Sequence, residues 1–281
     1  MKGRLLEEKI VKMLMRVTTL IIISSLFFIF IAILRRGLPA MNWDMITKIP
    51  GGGFYIGKEG GILNAIVGSF MIVLGSTALG LLIAIPIVIY INLYLPKKSL
   101  LSDITRLSFD VLFGIPSIVY GAFGFTIMVF LGMKTSLLGG TLAVTFLITP
   151  ILVRSMDEVA RMVPRELYDA TFSLGATRLE TVKVVLRQIA PGITTAILLS
   201  VGRAIGDAAS VLFTAGYTDS IPTSLGQPAA TLPLAIFFQL SSPIEEVQNR
   251  AYAAAFILTM IVLILSLSAR YYSRKLSKNK I

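Results

Sequence analysis

Two charges stand inside an otherwise apolar run. Arg203 and Asp207 lie within Ile193–Ala215, a stretch long enough to cross a bilayer. At about ten residues into such a helix, Arg203 is expected about 15 Å deep, near the midplane. Placing a guanidinium there costs at least about 2.5–3.5 kcal/mol on insertion scales, so it has to face a partner or a water-filled path. Asp207 follows one turn later on the same face. Two readings fit the pair. In one it is a neutralised salt bridge that only fixes packing. In the other, Arg203 offers its forked donors to a passing oxyanion, and Asp207 holds the guanidinium when the path is empty. On the neighbouring face, Gly202 and Gly206 make a small-xxx-small step that permits close approach of a helix from this chain or from a partner.

A second constellation lies outside the apolar runs, in the segment from Arg154 to Gly192. Pro164 suits the first position of a helix, and Glu166 and Asp169 complement its N-terminal dipole. Leu167, Ala170, Thr171 and Leu174 keep an i, i+3, i+4, i+7 stripe, which Gly175 ends as a left-handed terminator. Past Ala176, Thr177-x-x-Glu180 is a capping box opening a second helix. Its stripe runs Leu179, Val182, Leu186, Ile189, and Pro191 is expected to hand the chain to the next span. A helix–glycine–helix held outside the membrane presents a knob to a cytosolic partner, with Glu166, Asp169, Ala170, Gly175, Ala176 and Thr177 as the docking candidates. The alternative is an amphipathic hairpin lying on the lipid surface.

Several chemistries are excluded by residue type. With no His and no Cys, Cys/His zinc sites, Ser–His–Asp triads, Cys–His nucleophiles and disulfides are impossible. Asp207 has no second carboxylate on its helix, which disfavours an intramembrane hydrolase. No G-x-x-x-x-G-K-[ST] occurs: Gly57–Lys58–Glu59 lacks the hydroxyl residue, and Met133–Lys134–Thr135 has the wrong residue before the lysine. No catalytic residue, metal site or bound cofactor is expected, and any ATP used has to be bound by another polypeptide.

The elements that position these residues are membrane helices. The 281 residues are 55% hydrophobic and 15% charged, with a mean hydropathy of +0.83; soluble domains carry about 25% charge. Six runs are expected to span, over Val17–Leu34, Leu63–Leu95, Leu107–Met133, Leu137–Val153, Ile193–Ala215 and Ala251–Ala269. The second and third exceed a bilayer and are expected to tilt, extend, or kink at Pro86 or Pro116. Ala229–Leu240, with Pro233 near its start, is too short to cross and reads as a re-entrant or surface helix. Arg35–Arg36 follow the first run where a signal peptide would carry small residues, so it reads as a retained anchor.

A net charge of +11 invites a nucleic-acid reading. The distribution argues otherwise. With the N-terminus in the cytosol, only Arg35, Arg36, Lys48, Lys58, Lys134 and Arg250 fall on the far side, and nearly all other basic residues face the cytosol. Both termini are then cytosolic, and topology rather than nucleic acid explains the charge. The chain divides into a cytosolic segment 1–16, the first helix and an outward loop 17–59, a transmembrane domain 60–270 containing the cytosolic segment 154–192, and a basic tail 271–281. A channel or secondary transporter working alone is disfavoured, since no internal repeat is visible and the cytosolic knob would have no task.

Asp169–Ala170–Thr171–Phe172–Ser173–Leu174–Gly175 resembles the EAA loop of ABC-importer permeases, in an Asp form with Thr for the second Ala. Gly60–Gly61–Ile62–Leu63–Asn64–Ala65–Ile66–Val67–Gly68–Ser69, Gly114–Ile115–Pro116–Ser117–Ile118–Val119–Tyr120–Gly121 and Gly202–Arg203–Ala204–Ile205–Gly206–Asp207 are similar to the PstA family, the permease subunits of phosphate ABC importers. So is Leu232–Pro233 followed by Ser241–Ser242–Pro243. The similarity runs from about residue 60 to about 270 and departs mainly at Asp207, where the family usually has Glu. The resemblance implies an all-α inner-membrane protein with six transmembrane helices and the type I ABC-importer permease fold. It also implies a heterodimer with a PstC-like permease, a PstB-like ATPase dimer that binds ATP and Mg, an extracytoplasmic phosphate-binding protein, and phosphate as substrate. A permease for sulfate or molybdate is the nearest alternative.

Overall fold

The computed structural model describes residues 2–51, 59–96 and 99–277. Gly57 and Lys58, named above in the nucleotide-site and topology readings, lie outside the described residues, as does the end of the basic tail.

Among the described residues, ten α-helices follow in chain order: α1 (Lys2–Ala40), α2 (Trp43–Thr47), α3 (Leu63–Ile89), α4 (Leu100–Phe113), α5 (Ser117–Phe130), α6 (Leu137–Arg161), α7 (Arg165–Ser173), α8 (Arg178–Ile205), α9 (Leu232–Leu240) and α10 (Glu245–Ser277). An antiparallel pair, β1 (Pro50–Gly51) with β2 (Glu59–Gly60), lies between α2 and α3. Among the described residues, five helices are long and apolar enough to cross a membrane. The number is six if α4 and α5 form one broken span.

The core is built around α6. Val144, Ile148 and Leu152, one face of that helix, are fully buried against Ala84 of α3 and Ala196 of α8. Small residues allow the approach: a Cβ at Gly80 would stand 2.9 Å from Leu152. Buried hydroxyls on α6 are satisfied locally. Thr141, Thr145 and Thr149 each donate at 2.7 Å to the carbonyl four residues earlier, which leaves no loose donor in an apolar surround. No residue in the apolar stretch of α1 is buried. That helix is held near its far end, where a Cβ at Gly37 would meet the Tyr252 carbonyl at 2.6 Å.

One expectation about the spans is met in sharper form, and two are corrected. The third run is two helices, α4 and α5, bent by 100°. Pro116 forces the residue before it out of helical geometry and is itself extended (ψ 140°), so the ladder breaks and restarts at Ser117. The fifth run does not continue to Ala215, since α8 ends at Ile205 and residues 207–231 contain no long helix. Nor does Pro191 separate a docking helix from a span: α8 runs unbroken through it from Arg178. A proline inside a helix costs about 3 kcal/mol, and burial of Val185, Ile189 and Ala196 on both sides of it offsets that cost. The second run extends as expected, with α3 passing through Pro86 and continuing as one π-helical turn, Tyr90–Tyr94.

Irregular backbone within an apolar layer needs hydrogen-bond partners from elsewhere. The N-terminus of α6 supplies them. Ser136, Leu137 and Leu138 donate their backbone N–H groups to the carbonyls of Thr214, Gln227 and Leu225 at 2.9, 2.7 and 2.9 Å. Ala229 N–H returns to Ala215 O at 3.0 Å. The orphan donors of one helix thus satisfy the orphan carbonyls of the broken stretch. α9 follows, capped by Thr231, with its first turn buried and its Leu232 N–H donated to Ser69 at 2.8 Å.

Candidate functional site

Arg203 occupies the last turn of α8, not the middle of a continuous span. Its Nη1 lies 3.1 Å from Oδ1 of Asp207, and the two side chains differ sharply in exposure, 44% against 2%. The second carboxylate oxygen of Asp207 accepts from Ser210 N–H at 2.8 Å and from the Ser210 hydroxyl. Asp207 therefore has two tasks: it neutralises the guanidinium and caps the turns that follow the end of α8.

The guanidinium opens on a cavity of about 150 Å³ walled by Leu112, Phe113, Ile115, Tyr120, Leu147 and Ile151. Leu147 and Ile151 lie well inside α6, so Arg203 remains deep in the apolar layer although its helix ends there. Two contacts shape the wall. Tyr120 donates its hydroxyl to Leu112 O at 2.7 Å across the α4–α5 bend. A Cβ at Gly121 would come within 2.8 Å of Ala209 O, so only glycine lets α5 close against the stretch that Asp207 caps. One edge of the guanidinium is engaged by Asp207 while the side chain stays half-exposed. An oxyanion meeting the free edge gains charge-assisted hydrogen bonds, yet the pair as a whole is neutral and holds it weakly.

Gly202 and Gly206 pack no helix within the described chain. A Cβ at Gly202 meets nothing within 4 Å, and one at Gly206 meets only Gly202 O at 3.7 Å. With Leu199 also exposed, this face of α8 is open.

The segment between α6 and α8 forms the hairpin its residues suggest. Ala176 N–H bonds to Thr171 O at 3.1 Å and Gly175 N–H to Phe172 O at 2.9 Å, the paired bonds of a Schellman terminator. Gly175 takes φ +78°, a conformation that costs other residues about 1–2 kcal/mol. Thr177 and Glu180 complete the capping box, with Thr177 N–H donated to the Glu180 carboxylate at 2.7 Å. α7 has no buried residue. Glu166, Asp169, Ala170, Gly175 and Thr177 are exposed, Ala176 half-buried, and Phe172 and Leu174 present apolar surface beside them.

One cluster lies outside every motif singled out from the sequence. Arg106 of α4 engages Asp157 of α6 side-on, Nε to Oδ2 at 2.9 Å and Nη2 to Oδ1 at 3.1 Å. Asn92, on the π-helical turn, donates to Asp157 Oδ1 at 2.7 Å and accepts from Arg106 Nη2 at 3.2 Å. Arg161 adds a contact to Asp157 at 3.1 Å. The i, i+4 pair Asp157/Arg161 is visible in the sequence, but Arg106 and Asn92 join it only through folding.

Residues 79–278 match the family model of binding-protein-dependent transport system inner membrane components. The chain belongs to this family. Among curated proteins it is similar to the phosphate transport system permease protein PstA of Pasteurella multocida strain Pm70, 32% identical over 95% of each chain. It is similar also to PstA of Xylella fastidiosa strain Temecula1, 36% identical over 85% of this chain and 82% of that one. The probable PstA of Methanocaldococcus jannaschii is 31% identical over 95% and 94%. The fold matches a chain of the MetNI methionine ABC transporter in an inward-facing conformation, with a TM-score of 0.62 over 76% of this chain and 97% of that one, at 17% identity. This multi-pass membrane chain therefore has the fold of an ABC-importer permease.

Proposed function

We propose that this chain forms half of the translocation pathway for inorganic phosphate in an ATP-driven importer. Its partners would be a PstC-like permease, a PstB-like ATPase dimer and an extracytoplasmic phosphate-binding protein. Both termini lie in the cytosol in this reading, as the basic segments favour, and ATP with its Mg is bound by the ATPase. The hairpin around Gly175 docks on that ATPase through Glu166, Asp169, Ala170, Gly175, Ala176 and Thr177. Its apolar tip at Phe172 and Leu174, exposed outside the spans, suits a protein groove. Gly202 and Gly206 face the partner permease.

The observation that carries the pathway reading is the half-exposed Arg203 guanidinium, held by buried Asp207 at the deep end of α8 and opening on a cavity. A doubly charged anion cannot cross hydrocarbon alone, and a cation on the route that is already half neutralised lets it pass without trapping it. Similarity to PstA permeases supports phosphate as that anion.

The test is ATP-dependent uptake of radiolabelled phosphate by proteoliposomes holding this chain, its partner permease and ATPase, with the binding protein supplied outside the ATPase side. Arg203→Ala is expected to assemble but to lose uptake. Uptake retained by the variant would leave Arg203 a structural charge. An assembled wild-type complex that moves sulfate and not phosphate would overturn the substrate.

A further inference from the structure

We infer that Arg106 and Asp157 are positioning residues of the transport cycle. Together they latch α4 to α6, so that movement of the docking hairpin is carried along α4 to the wall of the Arg203 cavity. The inference rests on the reading of this chain as an ATP-coupled permease.

Four observations carry it. First, the latch joins three elements at one point: α4 through Arg106, α6 through Asp157, and the end of α3 through Asn92. Asn92 also donates to Val88 O at 2.9 Å, and Ser102 accepts from Arg106 at 2.5 Å, so the groups on both sides are held. Second, Asn92 sits on a π-helical turn, an irregularity that shifts the facing of side chains at the end of α3 and is common at functional sites. Third, the latch borders the docking hairpin. Asn92, Arg106 and Arg161 line one side of a cavity of about 640 Å³, and Tyr168 and Asp169 of α7 line another. Fourth, α4 is one unbroken helix whose C-terminal end, at Leu112 and Phe113, walls the Arg203 cavity. From Arg106 to Phe113 is about 10 Å along the axis, and Tyr120 ties Leu112 across the bend.

Stability alone does not account for such a group. Apolar residues of similar volume often hold helices as well as a buried ion pair or better, because desolvation consumes the Coulombic gain. What a side-on guanidinium–carboxylate fork adds is a fixed geometry between two helices. α4 exposes Leu100, Ile104, Leu107 and Val111; its other ties to α6 and the core are the half-exposed Arg154–Asp110 pair at 3.3 Å, the Arg154–Phe113 contact and the packing of Phe109. Those contacts lie toward Phe113, so without the fork the half of α4 that borders the docking hairpin would lose its fixed geometry to α6.

The experiment uses the full complex in proteoliposomes with three forms of this chain: wild type, Arg106→Lys, and the double variant Arg106→Met/Asp157→Leu. The double variant leaves no buried charge of the fork unpaired, which guards against simple misfolding. Two quantities are read, phosphate imported per ATP hydrolysed and the nucleotide dependence of labelling at Ile115→Cys, introduced into each form of a chain that has no cysteine. With the latch intact, the maleimide labelling rate at position 115 is expected to change when ATP is trapped. In the double variant, ATP hydrolysis is expected to persist while phosphate per ATP falls at least about tenfold, within the usual range of coupling between sites, and labelling no longer follows nucleotide. Arg106→Lys, which keeps the charge and loses the fork, is expected to fall the same way and decides the matter if the double variant does not assemble. A ratio within about twofold of wild type, or labelling that still follows nucleotide in assembled variants, overturns the inference. Failure of the wild type to import phosphate would strike the proposed substrate instead, and the labelling readout would still test the latch.

Discussion

Asp207 shows how much one carboxylate does at the residue scale. One oxygen faces Arg203 and the other holds the N–H and hydroxyl of fully buried Ser210. Asp207→Ala strands both Ser210 donors and leaves the guanidinium unpaired. Each unsatisfied buried group costs about 1–3 kcal/mol, so a clear drop in thermal midpoint in detergent is expected. Asp207→Asn keeps an acceptor for Ser210 and loses only the charge. It is expected to recover most of the midpoint while transport remains impaired. Equal midpoints for the two variants would show that capping is not the task of this residue.

At the scale of elements, the docking hairpin stands on local devices. α7 buries nothing, so the Schellman bonds at Gly175, the Thr177–Glu180 box and the Thr171–Thr181 hydroxyl contact at 3.2 Å hold its shape. Gly175→Ala meets no steric neighbour; its penalty is purely the left-handed backbone, about 1–2 kcal/mol. Thr177→Ala removes a cap worth about 1 kcal/mol. Both variants are expected to speed amide exchange in α7 and the start of α8 without lowering the global midpoint. Both should also weaken co-purification of the ATPase. Unchanged exchange in Gly175→Ala would mean that tertiary contacts, not the terminator, set the bend.

At the scale of the whole molecule, two faces stay uncovered by the chain itself. The apolar stretch of α1 has no buried residue, and Leu199, Gly202, Arg203 and Gly206 form an open face on α8. Since a Cβ at Gly202 has free space around it, Gly202→Leu is expected to leave the folding of this chain intact. If this face meets the partner permease, the added side chain blocks a close approach, and pull-down of the partner should fall. Normal pairing with normal uptake would place the interface elsewhere.

Much of this molecule is legible without coordinates because it rests on neighbours in sequence. Apolar run lengths mark the spans, the Gly175 and Thr177–Glu180 signals set the hairpin, and the four-residue spacing of Arg203 and Asp207 pairs them, since hydrogen bonding and helical periodicity act over one or two turns. What folding alone decided depends on partners far along the chain. α8 stops at Ile205 because Asp207 caps the next turn and the first N–H groups of α6 satisfy the carbonyls of Thr214, Leu225 and Gln227. α8 passes through Pro191 because burial on both sides outweighs one lost hydrogen bond. The third run folds back by 100° where Pro116 breaks the ladder and Gly121 lets α5 reach Ala209. Arg106 and Asp157, fifty-one positions apart, become a pair only when α4 crosses α6. No periodicity within either helix encodes that crossing, since a contact between distant segments is selected by the packing of the whole core.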